Sequence, residues 1–311
     1  MKLARTLCPP FGRCHRGPGA AARALCTGGS SRSSSSSGSS GSTLDQAELN
    51  KFSSLASEWW DPSSRAGVAL LHRMNPTRVR YIRRVLRAGA AADATAAAAP
   101  LHGLRLLDVG CGGGILAESL ARLGATVTAI DPAAANVAAA RAHAAHDPRT
   151  RGITYEACAI EEHARALAGT GTGTGTGDGD GGAAPYDAVV ALEVIEHVPP
   201  SARGVFLESI ARVLKPGGTL VLSTLNRTHK AFALAVFGAE RVAGLLPPGT
   251  HDWDRFVTPE EADAALAAVG LEVQDVSGIL FRPSLSAGLG LDFELDDSDI
   301  DVNYILHATK S

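Results

Sequence analysis

The sequence predicts an α/β protein: a mainly parallel sheet of seven strands, helices on both faces, and an antiparallel strand at the C-terminus. Short apolar runs alternate with helical patterns from residue 105 onward, which implies right-handed crossovers. A glycine-rich bend joins the first run to the first helix of that series. The last two runs are linked by an acidic loop alone, so they form a hairpin and the final strand runs backwards.

Leu44 to Trp60 sets Leu49, Phe52, Leu55, Ala56 and Trp59 close to helical spacing, a first helix. Asn75 ahead of Pro76 reads as an N-cap with proline at the first helical position, opening a second helix faced by Val79, Ile82, Val85 and Leu86. Residues 88 to 100, mostly alanine with glycine and proline, read as a surface linker. The regular series then gives strand Arg105 to Val109, helix Ile115 to Leu123, strand Thr126 to Ile130 and helix Ala133 to Ala145. It continues with strands Ile153 to Glu156 and Tyr186 to Leu192, helix Ser201 to Leu214, and strand Thr219 to Thr224. Strands Leu271 to Phe281 and Asp301 to Ala308 close it, joined by a loop carrying Asp292, Glu294, Asp296, Asp297 and Asp299. Between the third and fourth strands, a Gly-Thr and Gly-Asp repeat at about 169–184 has almost no apolar side chains to offset its ordering entropy, so a surface loop is expected there.

Hydrophobic residues make up 45% of the 311-residue chain and charged residues only 20%, enough apolar material for one sizeable core with local appendages. The net charge of −3 hides an asymmetry. Residues 1–44 hold Lys2, Arg5, Arg13, Arg16, Arg23 and Arg32 and no acid, which leaves 23 bases against 32 acids, a net −9, for the rest. A body of that sign is a poor nucleic-acid binder, and no nucleic-acid partner is expected. The Arg-rich, Ser-rich, acid-free leader has the composition of an organellar transit peptide, with a disordered tail as the plainer alternative. Residues 45–311 then form the folded domain, with Cys111 and Cys158 as reduced thiols in a matrix-like compartment. No apolar stretch is long enough to span a bilayer.

Asp108-Val109-Gly110-Cys111-Gly112-Gly113-Gly114 carries the strongest chemical signal. Glycines at 110, 112 and 114 let the chain turn sharply and let a ligand touch the main chain. A dinucleotide fingerprint needs glycine where Ile115 stands, whereas the Asp-x-Gly-x-Gly-x-Gly form suits S-adenosylmethionine. Asp131, at the end of the next strand, is placed to accept from ribose hydroxyls and equally to cap the helix begun by Pro132. Glu193, Glu196 and His197 follow the fourth strand, at the carboxyl edge where open parallel sheets bind ligands. Two carboxylates and an imidazole at these offsets suit a hard divalent cation such as magnesium, a solvated loop being an equal alternative. His197 is a candidate general base as well as a candidate ligand, and His251, in a Thr-His-Asp turn, is a second base candidate. Trp59 and Trp60 can pack in the core or close over the cofactor. Lys230 to Pro248, rich in Phe232, Leu234, Val236 and Phe237, divides between a buried helix and an interfacial one.

Several segments together resemble the ubiquinone-biosynthesis O-methyltransferases: residues 52–61 (FSSLASEWWD), 71–78 (LHRMNPTR), 107–131, 193–199, 223–227 (STLNR), 249–252 (GTHD) and 301–304 (DVNY). The resemblance runs from about residue 45 to the end. It implies a Rossmann-like class I methyltransferase fold and S-adenosylmethionine-dependent O-methylation of catechol-type polyprenyl phenols. It places Arg78, Gly110, Asp131 and Leu192 at the cofactor, where Asp108 and Gly112 of the glycine motif are also expected, and a divalent metal, magnesium or another, at Glu193, Glu196 and His197. On spacing alone Arg78 belongs to an exposed basic face with Arg80, Arg83, Arg84 and Arg87; the resemblance reverses that. It further implies peripheral contact with the mitochondrial inner membrane on its matrix side, and other ubiquinone-biosynthesis enzymes as partners. An O-methyltransferase for another small phenol, or a non-catalytic scaffold of a biosynthetic complex, is the alternative.

Overall fold

Strand β1 (Arg105–Val109) owes its place to strict alternation: Leu106 points to one side of the sheet and Leu107 and Val109 to the other. The same split recurs in β4 (Tyr186–Leu192) and β5 (Leu214–Leu225), so every central strand is apolar on both faces, as a covered parallel sheet requires. A computed structural model describes residues 43–61, 64, 68–87, 99–169, 186–234, 252–284 and 290–311. These all lie in one compact unit, residues 40–311. Residues 1–42 of the expected leader, the Ala-rich linker at 88–98, most of the Gly-Thr insertion, and residues 235–251 with His251 fall outside the described residues.

The remaining strands are β2 (Thr126–Ile130), β3 (Thr154–Glu156), β6 (Leu271–Ser284), β7 (Gly290–Asp296) and β8 (Asn303–Lys310). Their order is β3-β2-β1-β4-β5-β8-β6-β7, the first five parallel and each later pairing antiparallel. The sheet therefore has eight strands where seven were expected. The extra one, β7, occupies most of the expected acidic loop. Its acids conceal a period of two: Phe293 and Leu295 alternate with Asp292, Glu294 and Asp296, and the charged side is matched by Arg282 Nε, 2.8 Å from Glu294.

Helices α1 (Gln46–Ser54), α2 (Val68–Leu86), α3 (Ile115–Arg122), α4 (Ala134–Ala144), α5 (Ile160–Gly169), α6 (Arg203–Val213) and α7 (Pro259–Ala267) complete the described fold. Tyr81 and Ile82 of α2, Leu116 and Leu120 of α3 and Val137 of α4 cover one face, and Ile160 of α5, Phe206 and Ile210 of α6 and Leu266 of α7 cover the other. Two sequence expectations need correction. Helix α2 does not start at Asn75: it runs through Pro76, because Val68 and Leu71 in its first turns pack on Trp59 and Ile115. That packing outweighs the roughly 3 kcal/mol an internal proline costs. Asn75 is buried within the helix and donates to Ser119 Oγ at 2.8 Å. Helix α5 was not anticipated at all, since the repeat that follows it masks its short periodic stretch.

Helix α1 is shorter than the expected 44–60 helix, and three polar ties hold it against the body. The Thr43 N–H and hydroxyl donate to Glu161, Arg255 donates to Asp45 at 2.9 Å, and Glu48 meets His197 at 2.7 Å. It is thereby fixed along a cavity at the carboxyl edge of the sheet.

Candidate active site

A cavity of about 700 Å³ opens at the carboxyl ends of β1 and β4. Its floor at one end is the glycine bend between β1 and α3. Gly110, Gly112 and Gly114 have φ of 71°, 52° and 85°, left-handed values that side chains resist. The bend is also tightly enclosed. A Cβ on Gly110 would lie 2.6 Å from Val194 Cγ2, and one on Gly112 or Gly113 would collide with the Trp59 ring. Trp59 is thus core packing laid against the loop, its indole N–H donating to Asn136 Oδ1 at 3.0 Å. Trp60 donates to the Gly113 carbonyl at 2.9 Å and stacks on His143. The tryptophan pair braces the bend from outside, a role the sequence left open.

Asp131 is 8% exposed and holds the loop and the following helix together. Its Oδ2 accepts from Gly112 N at 2.9 Å, and Oδ1 accepts from Ala133 N at 2.8 Å and from Asn136 at 3.3 Å. The capping role is therefore real, and Oδ2 keeps a lone pair for a ribose hydroxyl in the cavity it lines. Burial raises its pKa. Asp108, in β1 beneath the bend, is pushed up to about 8 by burial and then by Asp131, with Arg78 opposing; its Oδ2 has no hydrogen-bond partner among the described residues.

Arg78 is 6% exposed, unlike the exposed Arg80, Arg83 and Arg84 on the same helix, so it does not belong to their solvated face. Its Nη2 lies 3.5 Å from Glu193 Oε1, and Nε and Nη2 make no hydrogen bond among the described residues. A buried guanidinium with unmet donors on a cavity wall is suited to a carboxylate ligand. Leu192, at the end of β4, lines the same cavity.

The second cluster sits where β4 leaves the sheet. Glu193 has φ 57°, a left-handed conformation that costs a non-glycine residue roughly 1–2 kcal/mol. The surroundings hold it there: its N–H donates to the Ser223 carbonyl at 3.0 Å, and its carboxylate accepts from Ser223 Oγ at 2.6 Å and from Asn303 Nδ2 at 3.0 Å. Glu196, 3% exposed, accepts from Thr224 Oγ1 at 2.8 Å; its Oε1 is unpartnered among the described residues, and burial, then Glu193, push it up to about 7. His197 Nδ1 meets Glu48 Oε2 at 2.7 Å, and the His197 ring packs edge-on against Phe52. The hydrogen bond to His197 lowers the Glu48 pKa.

Glu193, Glu196 and His197 all line the cavity, yet each is turned to a separate partner. The donor chemistry fits a hard cation, which would satisfy the orphaned Glu196 Oε1 and relieve the charge repulsion between the two carboxylates. His197 would have to give up Glu48, or present its other nitrogen, to join them. The group whose ligand atoms do gather within 4.8 Å, among the described residues, is Glu156, Cys158 and His163. There both ring nitrogens of His163 already have partners, Glu156 at 2.8 Å and the Tyr186 hydroxyl at 2.9 Å. Cys111 and Cys158 are free thiols. Sequence reasoning passed over Glu48 and gave no role to Ser223, Thr224 and Asn303, although they fall in resembling segments; these four residues aim the cluster. Three of these occupy strand ends that converge on Glu193 and Glu196 only after β5 and β8 pair, Ser223 opposite Ile305 and Leu225 opposite Asn303.

A family model described as a methyltransferase domain matches residues 72–276. The chain is 42% identical over 268 residues to the ubiquinone biosynthesis O-methyltransferase of Caulobacter vibrioides, covering 86% of this chain and 95% of that protein. It is 43% identical over 267 residues to the protein of the same name in Rhodopseudomonas palustris, covering 86% and 94%. Among solved structures, it resembles magnesium protoporphyrin IX methyltransferase from Synechocystis, solved with bound SAH, at a TM-score of 0.53 and 19% identity, over 85% of this chain and 99% of that one. At that identity the likeness speaks for the class I methyltransferase fold alone.

Proposed function

Since the chain belongs to the ubiquinone biosynthesis O-methyltransferase family, we propose that its cavity transfers a methyl group from S-adenosylmethionine to a catechol-type hydroxyl of a polyprenyl dihydroxybenzoate or demethylubiquinol. The observation that carries this reading is that one cavity joins the left-handed glycine bend and the Arg78 donors, free of hydrogen bonds among the described residues, to Glu193, Glu196 and His197. Arg78 takes the methionyl carboxylate, Asp131 takes a ribose hydroxyl, and the bare backbone at Gly110 and Gly112 lets the sulfonium approach. The acceptor lies toward His197 and Glu196. Nδ1 of His197 is held by Glu48, which orients the ring and leaves Nε2 to take the phenolic proton. Phenolate attack on the methyl carbon breaks the carbon–sulfur bond and gives a methyl ether and S-adenosylhomocysteine. Much of the acceleration then comes from proximity of two held reactants.

Glu193, Glu196 and His197 are also the residues that would hold a divalent cation, magnesium or another, His197 then serving as a ligand instead of a base. When bound, such an ion lowers the pKa of a phenolic hydroxyl. Its test is twofold: chelator should lower turnover, and calorimetry with the metal alone should show binding that Glu196→Gln loses. For the base, His197→Ala should reduce turnover by roughly 10²-fold or more while S-adenosylhomocysteine still binds. Loss of cofactor binding in that variant would move His197 to the cofactor half of the cavity.

The acid-free leader supports matrix import, and fusing residues 1–44 to a fluorescent reporter tests it. Phe232, Leu234 and Phe281 are the large exposed hydrophobics among the described residues, and two of them line the cavity. They support peripheral contact with the inner membrane, facing the matrix. No described helix is long and apolar enough to cross a membrane. Liposome flotation that survives replacement of Phe232 and Phe281 by serine would count against this contact. Association with other ubiquinone-biosynthesis enzymes follows from the family alone.

A further inference from the structure

The β6–β7 pair is more than a sheet edge. From Leu271 to Gly278, β6 pairs with β8; beyond Gly278 its recorded partners are in β7 alone. Residues 279–284 and their β7 partners thus form a two-stranded ribbon that overhangs the carboxyl edge of the sheet. Isolated ribbons are marginal, and this one is supported by α2, where the Thr77 hydroxyl donates to the Phe293 carbonyl at 2.6 Å. Its alternation is one-sided. Ile279, Phe281 and Phe293 face α2 and line the cavity, Phe281 and Phe293 directly opposite each other. Arg282, Asp292 and Glu294 occupy the other face, where Arg282 pairs with Glu294.

Met74 of α2 and Leu234 line the same cavity. Phe281 is 39% exposed and Leu234 38% exposed, so the apolar lining includes both buried Ile279 and side chains open to solvent. A lone exposed phenylalanine is ordinary on a protein surface. One that lines the reaction cavity together with a second exposed apolar residue is suited to a hydrocarbon ligand. The charged groups of the cavity, Arg78, Asp131, Glu193 and Glu196 among them, mark where cofactor and ring are held.

We propose that this ribbon is the tail subsite: the polyprenyl chain leaves the reaction centre between α2 and the ribbon, against Met74, Ile279, Phe293 and Phe281, and emerges past Leu234. The inference rests on the proposed function for the nature of the tail. It makes the ribbon a determinant of acceptor choice, since a ring without a tail leaves these surfaces wet.

The test compares kcat/KM for a prenylated dihydroxybenzoate and for the same ring without a tail, at fixed detergent, in the full chain and in Phe281→Asp. Phe281 is exposed, so the change is compatible with folding, and S-adenosylhomocysteine binding checks that the variant is folded. Met74→Gln probes the opposite wall independently. The ratio of prenylated to tail-free kcat/KM should fall roughly tenfold or more in each variant, the scale on which apolar pocket contacts discriminate. A ratio unchanged in both variants, whatever the absolute rates, overturns the tail subsite. Wild-type protein that methylates neither acceptor refutes the underlying function instead, so the two failures are distinct.

Discussion

Arg78 shows how one side chain can be legible in kind and hidden in context. By spacing it belongs with Arg80, Arg83 and Arg84; in the fold it alone is buried, beside Glu193 and with Nε and Nη2 unmet. Arg78→Met should weaken S-adenosylhomocysteine binding by roughly 10–100-fold, as expected for losing a charge-assisted hydrogen bond of about 1.5–3 kcal/mol, and calorimetry measures it. Gly112 was legible as a bend glycine from its motif, and in the fold a positive φ and the Trp59 ring both exclude a side chain there. Asp108 gives a pH signature. Its pKa stands near 8 instead of 3.8 because burial and Asp131 disfavour the charged form, so the folded protein holds a proton that the unfolded chain releases. That contribution to stability is present below about pH 4 and is lost as pH rises toward 8. Thermal melts of the cofactor-free protein should show Asp108→Asn losing less stability over that window than wild type; parallel curves would mean that the carboxyl is ionised throughout.

At the scale of elements, what the sequence concealed was tertiary. The central strands and α3, α4 and α6 were readable because apolar period and turn chemistry agree there. Strand β7 was not, since its acids obscure an alternation that pays off only against β6 and α2. The first turns of α2 were not either, because Pro76 is a local stop signal that packing on Trp59 overrides. Helix α7 is the opposite case. Thr258 accepts from Glu261 N at 3.2 Å while Glu261 accepts from Thr258 N at 3.1 Å, a reciprocal cap written in its sequence. Thr258→Ala should cost about 1 kcal/mol, seen as a drop of about 2–4 °C in Tm. Gly278→Ala should cost more, since a Cβ there would collide with the Asp299 carbonyl at the point where the ribbon departs. If the two variants melt alike, the departure point is less constrained than its packing implies.

Over the whole molecule, the sheet brings together groups that are far apart in the chain. The glycine bend follows β1, the Glu193 cluster follows β4, Ser223 lies near the end of β5, Asn303 begins β8, and Glu48 arrives on α1. The bend and the cluster could be read from local motifs; their convergence on one cavity could not, because it depends on strand order. Methyl transfer between the two ends of that cavity is the central claim. It is tested by incubating the protein with methyl-labelled S-adenosylmethionine and a prenylated dihydroxybenzoate, then locating the label. The expected result is label in a ring methyl ether with an equal yield of S-adenosylhomocysteine. Folded protein that binds the donor but leaves the acceptor unlabelled, with or without added divalent metal, would contradict it.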